Sequence, residues 1–245
     1  MRPAGDIRIV LIAPQHPGNV GAVARAMKVM ALHRLYLVRP KDFPSPEAER
    51  RAAGSKEILD RAIVVDDAAE AVGDCKIVIG ASARSRSHPL PVLDVRESAR
   101  QLVDAAGKGS PVAALFGPER TGLSNEDLDR CNFRLRIPTN PEFKSLNLAS
   151  AVQLLCYEVL VASREGQPPV AETEGGEREV PTQSEMEFFY RHLERALDAR
   201  GFTGDDRRAA TVAKLRRLFG RARPAAGELK MLHSLVKLME RDVDE

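Results

Sequence analysis

Aromatic residues are scarce in this chain of 245 residues, and tryptophan is absent altogether. Aromatic side chains make up 4% of the sequence, whereas hydrophobic residues as a whole make up 43%. Proteins that hold single-stranded nucleic acid by base stacking expose several aromatic rings, so the composition argues against that kind of binder. The hydrophobic content is large enough to form a folded core.

An excess of charge of either sign is also missing. The chain has 37 Lys and Arg residues and 35 Asp and Glu residues, which leaves a formal net charge of +2. Any affinity for nucleic acid must therefore come from a local basic patch and not from the overall charge.

Long apolar runs, paired cysteines and clustered histidines are lacking as well. No stretch is long and apolar enough to cross a membrane, and residues 1–6 lack the apolar segment of a signal peptide. Cys75, Cys131 and Cys156 each lie in or beside an apolar run, so we expect buried, reduced thiols in a cytoplasmic protein. The histidines show no ligand spacing with one another or with the cysteines, so we expect no metal site.

Apolar runs typical of buried strands alternate with amphipathic helices in residues 7–164. This α/β alternation predicts a mostly parallel sheet with helices on both faces. Ligands bind such sheets at the carboxyl ends of the strands, so the loops of interest are 14–18, 81–90, 117–123 and 138–146. The predicted strands are residues 7–13, 34–38, 62–65, 76–80, 112–116 and 133–137, and the clearest helices are 18–31, 94–106 and 147–163.

Composition divides the chain into three parts. Residues 1–164 form the predicted α/β domain, residues 165–182 a linker, and residues 183–245 a helical C-terminal extension. The linker has two adjacent prolines, two adjacent glycines and several Glu residues, with little to bury. About sixty helical residues would be marginally stable alone, so we expect the extension to pack on the first domain or on a second subunit.

The first stretch that can carry chemistry is motif 1, residues 16–28. A strand ends, turn residues follow, and a helix begins at small residues. This arrangement suits an anion such as phosphate, although an ordinary strand-to-helix turn has the same appearance. A dinucleotide-binding loop needs three glycines here, whereas only Gly18 and Gly21 are present. Val38 is followed by Arg39 instead of an acid, so the sequence argues against a nicotinamide-dependent oxidoreductase.

Motif 2 (residues 116–125) and motif 3 (residues 145–149) follow later strands. In motif 2, a buried strand leads into a loop with two glycines and Glu119, where backbone can approach a ligand closely. A surface turn that ends in the Ser124 helix cap is the alternative. Motif 3 begins a helix that is apolar on most sides, which indicates either a subunit interface or a central packing helix in a monomer.

Residues 207–223 hold seven basic side chains and no acidic one. Leu215, Leu218 and Phe219 give this segment an apolar side. The pattern is consistent with a helix that tracks phosphates and also with a solvated charged face.

Together the three motifs resemble those of SPOUT-class RNA 2′-O-methyltransferases in composition, order and spacing. Within that class the chain is most similar to the bacterial TrmJ family, because residues 80–84 and the tail segments 189–195 and 214–222 also fit. The similarity covers nearly the whole chain apart from the linker. The residues that carry it are His16-Pro17-Gly18-Asn19-Val20-Gly21 with Arg25-Ala26-Met27-Lys28, Phe116-Gly117-Pro118-Glu119-Arg120-Thr121-Gly122-Leu123-Ser124-Asn125 and Ser145-Leu146-Asn147-Leu148-Ala149. Two positions depart from the family pattern: Ala31 replaces the usual Gly, and Pro118 stands where many members have Arg.

The resemblance implies a fold and an activity that the residue pattern alone does not give. The carboxyl-terminal part of the α/β domain would form a trefoil knot, and S-adenosylmethionine would be the cofactor. The protein would be a homodimer without a metal. Its substrate would be the ribose 2′-hydroxyl of a cytidine or uridine in tRNA, at nucleotide 32 of the anticodon loop.

The resemblance also implies roles for individual residues. Asn19 would hold Arg25 or the ribose by hydrogen bonds. The cofactor would be held by Ala81, Ser82, Ala83, Leu115, Gly117, Ile137, Lys144, Ser145 and Leu146. The catalytic set would be Arg25, Asn19, Glu119, Ser145 and Asn147, and RNA would be bound by Arg25, Arg84, Lys214, Arg216, Arg217 and Arg221.

Two alternatives remain open from the sequence. One is a non-catalytic RNA-binding relative with the same fold, against which the intact catalytic set argues. The other is an enzyme that methylates ribosomal RNA or another position of tRNA. Only the similarity of the tail segments to the TrmJ family argues against it.

Overall fold

The computed structural model describes residues 6–83, 90–142, 145–164, 179–202 and 208–241. The chain forms two compact units, residues 1–170 and 171–245. Most of the predicted linker, residues 165–178, lies outside the described residues.

A seven-stranded sheet forms the centre of the first unit, and its strands follow the order β3-β2-β1-β6-β4-β7-β5. All six pairs of neighbouring strands are parallel, so the predicted parallel sheet is confirmed. The strands are β1 (Ile7–Ile12), β2 (Arg34–Val38), β3 (Ile63–Val65), β4 (Ile77–Ala81), β5 (Val92–Leu93), β6 (Val112–Phe116) and β7 (Phe133–Leu135).

Helices cover both faces of the sheet, which explains why β1 is a continuous apolar run. Ile9 and Leu11 of β1 belong to one apolar core, whereas Val10 and Ile12 belong to the other. The helices of this unit are α1 (Pro17–Val29), α2 (Pro46–Ala52), α3 (Lys56–Asp60), α4 (Ala68–Val72), α5 (Val95–Gly107), α6 (Asn125–Asp129) and α7 (Leu148–Arg164). Each predicted strand and helix is present, with ends within two residues of the predicted bounds.

Four short elements were not predicted, β5, α2, α3 and α4, whereas α6 begins at the predicted Ser124 cap. Each is too short to show a hydrophobic period. Helix α2 is the clearest case, because its buried residues are only Ala48 and Ala52. Two alanines do not produce the apolar stripe by which a helix is recognised in a sequence.

Helix α1 ends with Ala31 in the left-handed region, at a φ of 58°. This conformation costs an L residue about 1 kcal/mol or more, and glycine avoids the cost. We expect Ala31→Gly to raise the free energy of unfolding by about 0.5–1 kcal/mol, measured by denaturant titration.

Ala22, in the interior of α1, offers a control of opposite sign. There the same substitution should lower the stability by about 1 kcal/mol. An unchanged or lower denaturation midpoint for Ala31→Gly would show that the family glycine has no conformational advantage at this position.

The second unit consists of the helices α8 (Gln183–Ala199), α9 (Arg208–Ala222) and α10 (Ala226–Arg241). Phe189 lies at its centre, with ring centroids 5.0 Å from Phe219 and 5.4 Å from His233. Both contacts are edge-to-face, a favourable arrangement of aromatic rings. The predicted helical character of this part of the chain is confirmed for the described residues.

The three cysteines are free and buried, as predicted. Desolvation raises the pKa of the Cys75 thiol to about 12, so the thiol remains protonated at neutral pH. Among the described residues, no helix is long and apolar enough to cross a membrane.

Candidate active site

The candidate site lies in the loops that follow four neighbouring strands. β1, β6, β4 and β7 lie side by side and run in the same direction, so their carboxyl ends meet at one edge of the sheet. A cavity of about 660 Å³ opens at this edge. Its volume is within the range of sites for small organic ligands.

Most of the predicted cofactor residues line this cavity. The lining includes Ala81, Ser82, Ala83, Gly117, Ile137, Ser145 and Leu146. Leu115, expected to contribute main-chain groups, is not among the lining residues: it is fully buried and packs in the core on one face of the sheet, while the chain reaches the cavity at Phe116 and Gly117. Lys144 lies outside the described residues.

The loop after β6 folds back so tightly that a side chain at Gly117 has no room. A Cβ atom placed there would overlap the backbone of Gly122 and Leu123. The Gly122 amide donates a hydrogen bond of 2.8 Å to the Pro118 carbonyl, and Gly122 has a φ of 65°. The turn therefore needs glycine at both positions, and it forms one wall of the cavity.

Glu119 joins this loop to motif 1. Its carboxylate accepts hydrogen bonds from the Gln15 amide at 2.9 Å, the His16 amide at 3.1 Å and Asn19 Nδ2 at 2.9 Å. Burial opposes ionisation, but the hydrogen bonds from Asn19, Gln15 and His16 outweigh it and lower the pKa of Glu119 below its ordinary value. At neutral pH Glu119 is therefore an ionised acceptor, fully engaged in fixing the loop before α1.

Asn147 extends the connection to motif 3. Its Nδ2 donates to Asn19 Oδ1 at 3.0 Å, and its Oδ1 accepts from the amides of Ala149 at 2.9 Å and Ser150 at 3.4 Å. The first of these bonds joins motif 1 to motif 3, and the other two cap α7. The chain Glu119–Asn19–Asn147 thus holds the three motifs together beside the cavity.

The predicted arginine is not part of this chain. Arg25 is exposed on α1, about 9 Å along the helix axis from Asn19. Asn19 contacts Glu119 and Asn147, so the expected contact between Asn19 and Arg25 is not formed. Within the described parts of the chain, Arg25 makes no hydrogen bond or ion pair.

The predicted RNA-binding residues of the tail separate into two groups. Lys214, Arg217 and Arg221 follow the spacing i, i+3, i+7 on α9, which places them on one helix face. None of the three has an ion pair with another described residue. Arg84 lies outside the described residues.

Arg216 lies on another face of α9, and the structure contradicts its predicted role. Its guanidinium donates hydrogen bonds to the Glu187 carboxylate at 2.7 and 2.9 Å and to the Glu194 carboxylate at 2.9 Å. It also lies 4.7 Å from the centroid of the Tyr190 ring. Burial disfavours the charged form, but the two carboxylates outweigh burial and raise the pKa of Arg216. Its charge is neutralised inside the second unit, so Arg216 fastens α9 to α8.

Several lining residues were not predicted as site residues. Arg120, Thr121 and Gly122 lie in the loop after Glu119, and Thr139 follows β7. The first three fall within motif 2, which was a sufficient signal to include them. Among the described residues, no group of three or more His, Cys, Asp or Glu side chains is arranged to hold a metal ion.

The fold and the cavity are those of an α/β protein that binds an organic ligand at the carboxyl ends of parallel strands. The sequence model of the SpoU rRNA Methylase family matches residues 6–157, and that of the tRNA methyltransferase TrmJ C-terminal domain matches residues 184–245. The chain belongs to the SpoU methylase family and carries the TrmJ C-terminal domain.

Individual relatives agree with this assignment. A tRNA (cytidine/uridine-2′-O-)-methyltransferase TrmJ of Yersinia pestis (strain Pestoides F) is 44% identical over 243 residues, or 96% of this chain and 92% of the relative. The crystal structure of TrmJ from Z. mobilis ZM4 has a TM-score of 0.82 and 33% identity, covering 95% of this chain and 98% of that chain. The SpoU methyltransferase AviRb from Streptomyces viridochromogenes, in complex with the cofactor AdoMet, shares the fold at a TM-score of 0.52 and 24% identity, covering 64% and 60% of the two chains.

The predicted enzyme class, methyltransferase, is thereby confirmed. The cavity fits the predicted cofactor, S-adenosylmethionine. Small residues at Ala81, Ala83 and Gly117 leave room for it, and the carboxylate of Glu119 is already bound by three donors. Glu119 is the one acid in the described lining, and its carboxylate is occupied by these bonds. No free carboxylate there would therefore stabilise the positive charge of the sulfonium group and so oppose methyl transfer.

Proposed function

We propose that this chain methylates the ribose 2′-hydroxyl of a cytidine or uridine in tRNA, at nucleotide 32 of the anticodon loop. The observation that carries the proposal is the hydrogen-bond chain Glu119–Asn19–Asn147, which fixes three sequence motifs around one cavity. The activity named for the Yersinia relative supports tRNA as the substrate, since the similarity extends through the C-terminal domain.

S-adenosylmethionine, when bound, supplies an electrophilic methyl group for an in-line displacement. The protein has to place the ribose hydroxyl on that line and stabilise it as it loses its proton. Asn19 and Asn147 join the loops beside the cavity, and Ser145 lies in its lining. Arg25 binds the adjacent phosphate and polarises the hydroxyl, because a guanidinium offers hydrogen-bond donors and positive charge but no acceptor.

The active assembly in this proposal is a homodimer. Helices α1 and α7 pack against each other, yet apolar side chains on both remain exposed: Val29 at 63%, Leu154 at 41% and Tyr157 at 50%. α7 buries only one stripe in the single chain, which favours a subunit interface over a central packing helix. The proposal includes a trefoil knot in the carboxyl-terminal part of the α/β domain, and the cytoplasm as the place of action because tRNA is the substrate.

The tail takes part in RNA binding in this proposal. Lys214, Arg217 and Arg221 form a basic stripe on α9 without ion-pair partners among the described residues, as a phosphate-tracking face requires. Arg216 is excluded from this stripe by its ion pairs with Glu187 and Glu194.

The proposal is tested by methyl transfer from labelled S-adenosylmethionine to total tRNA, with mass spectrometry to locate the modified ribose. We expect one 2′-O-methyl group at nucleotide 32. A methyl group at another tRNA position would retain the enzyme class and overturn the position, and labelling of ribosomal RNA alone would overturn the tRNA assignment. Absence of labelling in both RNAs, with the cofactor bound, would indicate an RNA-binding protein without this activity.

A further inference from the structure

Helix α2 packs on the same face of α1 that carries Arg25. Gly18, Gly21 and Arg25 follow the spacing i, i+3, i+7, so they lie along one side of α1. A Cβ atom on Gly21 would overlap the Ala48 carbonyl of α2, which shows how closely the two backbones approach. The glycines of motif 1 therefore have a second use, because they let α2 lie directly against the start of α1.

This packing brings Arg51, at the end of α2, onto the face of Arg25. A Cβ atom on Gly21 would lie 2.9 Å from Arg51 Cβ, and one on Gly18 would lie 3.7 Å from Arg51 Cγ. The Arg51 side chain thus starts at Gly21 and extends toward Gly18, the end of α1 at which Asn19 bonds Glu119. Arg51 is exposed, and no described residue forms an ion pair or hydrogen bond with it.

Neighbouring charges on these helices are mostly engaged elsewhere. Lys28 bonds the Gly54 carbonyl at 2.7 Å, and Glu49 pairs with Lys56 at 3.0 Å. Glu47 is the acid near Arg51, with Oε1 2.7 Å from the position of a Cβ on Gly18, but it forms no ion pair with Arg51. The guanidinium groups of Arg25 and Arg51 are thus both exposed on this side of α1, and Glu47 is the one acid named near them. Together the two arginines form a local site for the anionic backbone of RNA.

We infer that Arg51 is a second RNA-backbone contact on the α1 face that carries Arg25, and that it binds a phosphate of the tRNA. The inference rests on the proposed function and adds a residue outside the three motifs. Arg51 would set the affinity for tRNA and leave the chemical step and the cofactor cavity unchanged.

The test compares Arg51→Ala with Arg50→Ala, measured by tRNA binding across a salt series. Arg50 is a matched control because it precedes Arg51 on the same helix, is exposed, and has no ion pair within the described residues. We expect Arg51→Ala to raise the Kd and the KM for tRNA about fivefold and to reduce the salt slope by about 1, with kcat and S-adenosylhomocysteine affinity unchanged. Arg51→Lys should restore most of the affinity, since a phosphate accepts either cation.

The possible contrary results separate the two proposals. Equal tRNA affinity and salt slope for Arg51→Ala and Arg50→Ala, in an enzyme that methylates tRNA, would overturn the role of Arg51 alone. A loss of S-adenosylhomocysteine affinity in Arg51→Ala would assign the residue to the packing of α2. A wild-type chain that does not bind tRNA would overturn the proposed function together with this inference.

Discussion

Replacing Glu119 by Gln is expected to lower the rate of methyl transfer about a hundredfold while the sheet remains folded. The carboxylate accepts three N–H donors at 2.9–3.1 Å, from Gln15, His16 and Asn19. An amide of the same size keeps one oxygen and turns an NH₂ group toward donors, so at least one bond is lost and one contact becomes repulsive. The loop before α1 then loses its fixed position relative to the cavity.

The stability cost of this substitution is smaller than its effect on the reaction. Hydrogen bonds to a charged group contribute about 1.5–3 kcal/mol, and loss of one lowers the free energy of unfolding by about 2 kcal/mol. The lowered pKa of Glu119 means that the unfolded chain binds the proton more tightly than the folded one. This stabilisation is therefore present above about pH 4.3 and is lost as the pH falls through the lowered pKa of the folded state.

The measurement is single-turnover methyl transfer together with denaturant unfolding of each variant. Glu126→Gln is the control, since Glu126 is an exposed acid of α6 that accepts a hydrogen bond from Arg130, away from the motif 1 loop. Asn19→Ala completes a double-mutant cycle, and because both residues act through one network we expect the double variant to be little worse than either single one. A Glu119→Gln rate within twofold of wild type, or strictly additive losses, would show that the network does not position the site.

The strands and the long helices could be predicted because their burial leaves a local pattern. β1 and β6 are buried on both faces and appear as continuous apolar runs, and α1 shows its apolar side at helical spacing. The motifs themselves were also visible, as was their position after strands. Parallel strands then bring loops from distant parts of the sequence to one edge of the sheet.

The hydrogen bonds between the motifs could not be predicted, because no local pattern encodes them. Asn19 and Glu119 are 100 residues apart, and Asn19 and Asn147 are 128 apart. The expected partner of Asn19 was Arg25, on the same helix, or the substrate ribose, whereas the structure pairs Asn19 with two other loops. Helix α2 was missed for a related reason, since its contact with α1 is made by glycine and alanine, which carry little hydrophobic signal.

In the basic segment 207–223, the sequence does not show which arginines face solvent and which pair with acids of the neighbouring helix. Arg216 and Arg217 are adjacent in sequence, yet about 100° of helix rotation separates them. One side chain meets Glu187 and Glu194, and the other joins the outward stripe with Lys214 and Arg221. Helical spacing applied to α9 would have separated Arg216 from the stripe, but only the structure shows which face of α9 meets α8.

Gly117→Ala is the second substitution with a large expected effect, because it acts on the wall of the cavity itself. The added methyl group would overlap the backbone of Gly122 and Leu123, and backbone cannot move aside as a flexible side chain can. The turn 118–122 has to open, which shifts Glu119 and the cavity lining together. We expect the affinity for S-adenosylhomocysteine to fall at least about tenfold, or about 1.4 kcal/mol, and turnover to fall about a hundredfold.

Calorimetric titration of S-adenosylhomocysteine tests this, with Gly107→Ala as the matched control. Gly107 ends α5, a Cβ there meets nothing within 4 Å, and alanine should be neutral or slightly stabilising. Overpacking costs about 1–3 kcal/mol of stability, so Gly117→Ala should still fold, and its circular dichroism spectrum verifies this. Wild-type affinity in a folded Gly117→Ala variant would mean that the turn adapts without reshaping the cavity. Cofactor binding would then depend on Ala81, at the end of β4, and on Ile137, just after β7.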